Sequence, residues 1–98
     1  MTDDEAIMAR FVHDYLELLD HRVESIQHHL DARNFMTAHV ALLSLESTSV
    51  MVGANELAEV AGRLRSAVEQ GQRNLMPELL TQVLVEAVRV RARLSSPS

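Results

Sequence analysis

Residues 38–54, AHVALLSLESTSVMVGA, decide how this chain folds. Apolar side chains fall at Ala38, Val40, Ala41, Leu42, Leu43, Leu45, Val50, Met51 and Val52, more than one inward stripe of a helix can hold. A helix in a small soluble bundle normally shows one apolar stripe and one polar face. A helix lacking that polar face is either central to its own fold or covered on its outer side by something else. The flanking segments pose the same question from outside: how they surround this helix, and what remains to cover it.

Upstream, Phe11, Tyr15, Leu18, Leu19, Val23, Ile26 and Leu30 recur at three- and four-residue steps, predicting helix over residues 3–32. Thr2 or Asp3 can cap its start, and the acids of the first turn suit the positive helix end. Asp20-His21 is a place for a bend within this run. The turn Asp31-Ala32-Arg33-Asn34 ends it, with Asn34 positioned to cap a second helix from Phe35 to Met51. Thr48 and Ser49, late in that helix, can bond back to the preceding turn. Gly53 stops it. A third helix follows, with Leu57, Val60, Ala61, Leu64 and Val68 on one face and Glu56, Glu59, Arg63 and Glu69 on the other. Gly71 is the next stop, and Asn74 can cap a last helix that tolerates Pro77 in its first turn. Leu79, Leu80, Val83, Leu84, Ala87, Val90 and Leu94 give that helix its apolar face, and residues 95–98 are expected to fray. Four helices with short connections and no strand signal predict an all-α, antiparallel up-down four-helix bundle. The 98 residues form one domain, with its core between about residues 7 and 94.

Composition removes several functions. There is no cysteine, so thiol chemistry and thiolate metal sites are excluded. All nine basic residues are arginine, which removes every lysine-dependent role. Residues 1–46 carry a net charge of −6 and residues 47–98 a net charge of +1, with three aromatic residues in all. That is no nucleic-acid footprint. The start Thr2-Asp3-Asp4-Glu5 is unlike a signal peptide, and no apolar run reaches membrane-spanning length, so a cytoplasmic protein is expected.

Five histidines invite a metal reading: His13, His21, His28, His29 and His39. Glu17/His21 and Glu24/His28 each share a helix face, but a di-metal bundle wants Glu-x-x-His on two helices with further inward carboxylates. Here both pairs lie on one helix at the wrong spacing, and neither a metal nor another cofactor is expected. No nucleophile elbow, phosphate loop or HExxH helix occurs, so no classical catalytic residue is assigned.

Gly53-Ala54 followed by Leu57, the small polar pair Thr48-Ser49, Leu45, and Asn34 at the head of the second helix form a pattern over most of the chain. From Phe11 to about Leu94 the sequence resembles the histidine-phosphotransfer (HPt) domain of two-component phosphorelays. The family segment reads Ala-His-x-Leu-Lys-Gly-Ser, then small residues, then Gly-Ala. In that register Leu43 stands at the phospho-acceptor histidine, Glu46 at the lysine and Ser47 at the glycine. His39 lies one turn too early, and taking it as acceptor would require a four-residue insertion before Gly53. The resemblance implies a degenerate HPt, or pseudo-HPt: phosphotransfer needs an imidazole nucleophile and a nearby cation, and Leu43 and Glu46 supply neither.

The helix phase places Ala38, Leu42, Leu45, Ser49 and Val52 inward. It places His39, Leu43, Glu46 and Val50 outward, with Val40 and Ser47 beside them. Family members receive a receiver domain on this surface, so these six outward residues are the expected docking face. The partner implied is a response-regulator receiver or a sensor histidine kinase. Two alternatives are a homodimer built on the same stripe, and an active phosphotransfer protein using His39.

Overall fold

The computed structural model describes residues 2–95. Helix α1 spans Asp3–Asp31, α2 Phe35–Met51, α3 Asn55–Glu69 and α4 Met76–Ser95, and a 3₁₀ turn at Arg73–Leu75 leads into α4. Each helix packs against its chain neighbours and α4 closes back on α1, while the diagonal pairs α1/α3 and α2/α4 make no close backbone approach. This is the expected up-down four-helix bundle. No strand occurs among the described residues. No described helix is long and apolar enough to cross a membrane.

The core follows from the apolar periodicity. Leu19 and Ile26 of α1, Leu42 and Leu45 of α2, Leu57 and Leu64 of α3, and Val83 of α4 are fully buried. Each such side chain stabilises the fold by about 1.5–3 kcal/mol. Among the described residues Ser49 is the one buried polar residue, and its hydroxyl meets the Tyr15 hydroxyl at 2.8 Å across α1 and α2. Burial pushes the Tyr15 phenol up, against the opposing influence of that hydrogen bond and of Arg22 and Arg93. Arg91 ties α4 to α1 by donating to the Leu16 carbonyl at 2.7 Å, with Asp20 at 3.2 Å.

Several expectations are corrected. Helix α1 is one continuous helix through Asp20-His21, the place the sequence offered for a bend between a short helix and a longer one. It starts in a reciprocal capping box, with the Thr2 hydroxyl accepting from the Glu5 amide and the Glu5 carboxylate accepting from the Thr2 amide. At about 1.5 Å per residue α1 is about 43 Å long, nearly the whole 47 Å long axis of the molecule. Residues 3–10 are exposed on every side, because α1 outruns its neighbours there. Asn34 precedes α2 but its side chain makes no capping bond. Asn74 lies within the 3₁₀ turn instead of capping α4. Ser95 closes α4 instead of fraying, and the rest of the expected frayed tail, residues 96–98, lies outside the described residues.

The first three helices end alike. In each, the residue two past the cap-preceding turn turns left-handed: Arg33 at φ 60°, Gly53 at 77° and Gly71 at 65°. The amides of Asn34, Ala54 and Gln72 then bond the carbonyls of His29, Ser49 and Ala67 at 2.8–2.9 Å. This is the Schellman closure. It reverses the chain within a few residues and keeps consecutive helices antiparallel.

Candidate functional site

The buried residues of α2 are Ala38, Leu42, Leu45 and Ser49, which fixes the helix phase as the spacing predicts. Val52, just past the helix, is half-buried and packs on the core. The opposite side holds the outward residues. Val40 is 62% exposed, Leu43 46% and Val50 58%, and Ser47 is exposed too. Sequence reasoning left out Met36 and Met51, which at 84% and 60% exposure extend the apolar stripe at both ends. Met36, Val40, Leu43, Ser47 and Val50 recur at steps of four, three, four and three residues, so they lie along one line of the helix. A shallow depression of about 250 Å³ borders this line, lined by Phe35, Met36, His39, Val40, Val68 and Glu69.

His39 and Glu46 belong to the same side but do not simply face solvent. Both are drawn to α3. The Arg65 guanidinium donates to Glu46 at 2.8 Å and to Glu69 at 3.1 Å, and His39 Nε2 lies 2.6 Å from the same Glu69 oxygen. The sequence placed Glu69 on the outer face of α3; the structure places it at the α2 edge instead. The chain His39–Glu69–Arg65–Glu46 thus fences the α3 side of the stripe. Gly62 makes room for it, since a Cβ there would come within 3.2 Å of the Glu46 carboxylate.

The electrostatics follow the contacts. The hydrogen bond with His39 holds the Glu69 carboxyl below the usual carboxylate value, and Arg65 adds to the effect. The hydrogen bond to Glu46 is the main influence raising Arg65 above the ordinary guanidinium value. The only guanidinium in this cluster is therefore engaged by two carboxylates, and His39 meets a carboxylate at its outer nitrogen.

Elsewhere, the hydroxyl of Thr48 bonds back to the Ser44 carbonyl at 2.8 Å, as expected, and accepts from Arg22 at 2.9 Å. Ser49 pairs with Tyr15 instead of its own helix. Of the histidine–glutamate neighbours on α1, the pair within reach is His13–Glu17 at 3.5 Å. With Asp14 these bring three ligand atoms within 4.8 Å of one another, all on exposed residues of a single helix. They could offer donor atoms to a cation, but among the described residues no second helix contributes one.

Comparison with known proteins agrees with this architecture. The family model described as the Hpt domain matches residues 10–94, from the second turn of α1 to the last turn of α4. No curated protein and no solved structure matches the chain. A match over nearly the whole length, on a four-helix bundle, settles the assignment: the chain belongs to the Hpt domain family, the helical modules of two-component phosphorelays.

Proposed function

We propose that this Hpt domain docks a response-regulator receiver or a histidine-kinase domain through the outer face of α2 without carrying phosphate itself. The observation that carries the reading is Leu43. It is substantially exposed at the centre of the face, at the position where the family register puts the phospho-accepting histidine. A leucine has no nucleophile, and three residues on Glu46 presents a carboxylate where the register calls for a cation. What the leucine can contribute is contact: burying it against a partner adds at most about 1.5–3 kcal/mol. His39 is poorly suited to replace it, because the Glu69 carboxylate occupies its outer nitrogen and would repel an incoming phosphoryl group.

Incubation with a phosphorylated receiver is the direct test, and no acid-labile phosphate is expected on this chain. If phosphate does appear and is lost in His39→Gln, His39 is the acceptor and the proposal fails. Leu43→Asp is expected to weaken receiver binding by tenfold or more, the equivalent of about 1.4 kcal/mol, with little change in melting temperature because Leu43 is outside the core.

One observation favours a second reading, a homodimer on the same face: the line Met36, Val40, Leu43, Val50 is apolar enough to close on a copy of itself. Sedimentation at micromolar concentration separates the two. A monomer whose mass is unchanged by Leu43→Asp removes the dimer.

A further inference from the structure

The carboxylates beside Leu43 bear on which state of the partner this face accepts. Glu46 lies one turn from Leu43 on α2, and Glu69 and His39 continue the same edge. Two carboxylates share one guanidinium, so the cluster keeps one net negative charge when His39 is neutral. Helix α2 carries no arginine or lysine that could offset it. Arg63, the next cation along α3, is paired with Glu59, while Arg22, on the α1 side of α2, donates to the Thr48 hydroxyl and keeps its charge. A group arriving over Leu43 therefore meets apolar surface and, on the α3 side, two carboxylates that share a single guanidinium.

We infer that this face discriminates by phosphorylation state and binds the unphosphorylated receiver in preference to the phosphorylated one. The inference rests on the docking reading above. Phosphorylating a carboxylate adds negative charge and strongly hydrated oxygens at the point of contact. Those oxygens need cationic or N–H partners to leave water, and Arg65, the guanidinium on the α3 side of Leu43, is already engaged by two carboxylates. One extra charge about one helical turn, roughly 5 Å, from Glu46, at an effective dielectric between that of a protein surface and water, weakens binding about tenfold. The domain then acts as a holder of the resting receiver, which phosphorylation releases.

The probe is an isolated receiver domain, titrated unmodified and after saturation with beryllofluoride, the stable mimic of its phosphoryl group. Calorimetry is expected to show about tenfold tighter binding of the unmodified form, with the gap narrowing at higher salt. Glu46→Gln keeps the shape fitted over Gly62 and removes one charge, and it is expected to close most of the gap. Equal or tighter binding of the beryllofluoride form overturns the inference and leaves docking intact. A gap that persists undiminished in Glu46→Gln also overturns it, since the charge would not be the cause. Failure of both forms to bind overturns the docking reading, and the inference with it.

Discussion

Glu69 shows how a single side chain can organise a surface. It accepts from His39 and from Arg65 at once, and so links α2 to α3 outside the core. Its carboxyl is held below the ordinary value of 4.5, chiefly by His39. A carboxyl with a lowered folded-state pKa stabilises the fold above its unfolded pKa, and that contribution disappears as pH falls through the folded value. The stability difference between the wild type and Glu69→Gln, from urea melts between about pH 7 and pH 3, is therefore expected to hold steady near neutrality and vanish in acid. A difference that grows in acid would contradict the pairing. Only half of this cluster was legible in the sequence. The phase of α2 put His39, Leu43 and Glu46 outward, because apolar spacing along a helix directly encodes its inner face. Arg65 and Glu69 were not found, since nothing in the spacing within α3 reveals a charge that crosses to another helix.

At the scale of the elements, the helix ends carry the next prediction. Gly53 and Gly71 hold left-handed positions that glycine adopts without penalty, but Arg33 holds the equivalent place at φ 60°. A side chain there costs about 1–2 kcal/mol, part of which glycine gives back through its freer unfolded state. Arg33→Gly is expected to stabilise the domain by about 0.5–1 kcal/mol, a rise of roughly 2–8 °C in melting temperature for a domain of this size. Gly53→Ala is expected to destabilise it by about 1 kcal/mol through backbone strain alone, because a Cβ at Gly53 meets no atom within 4 Å. Thermal melts of both variants decide the matter. The glycine stops could be read from the sequence, and the bounds of α2 were recovered to the residue. Asn34 and Asn74 misled, because residue type marks a turn without fixing whether the side chain turns back onto the helix. The helix is not interrupted at Asp20-His21 because the apolar stripe of α1 continues past both residues, with Leu19 and Val23 buried on either side.

For the whole molecule, the bundle is a ring of four helices in which one is longer than the rest. The buried set begins at Tyr15, and residues 3–10 of α1 are all exposed. Deleting residues 2–9 is expected to change stability by no more than about 1 kcal/mol, the scale of the lost cap. Leu45→Ala, at the centre, is expected to cost about 2–5 kcal/mol. Chemical denaturation distinguishes them, and a truncation as damaging as the core substitution would mean that the overhang is packed. The bundle architecture was readable because four amphipathic segments joined by short turns leave few other ways to bury their stripes. The overhang was not, since periodicity reports which face of a helix is apolar and not where its neighbours end.

Every group on the candidate face comes from one hairpin. Met36 to Val50 lie on α2, Arg65 and Glu69 lie on α3, and only residues 52–54 separate the two helices. Helices α1 and α4 supply backing and contribute nothing to that edge. Substitutions over a single stretch of about thirty-five residues can therefore rewrite what the surface selects, while the buried stripes that specify the fold stay untouched. Such a division lets the chemistry of that surface change without the chain having to find a new way to fold.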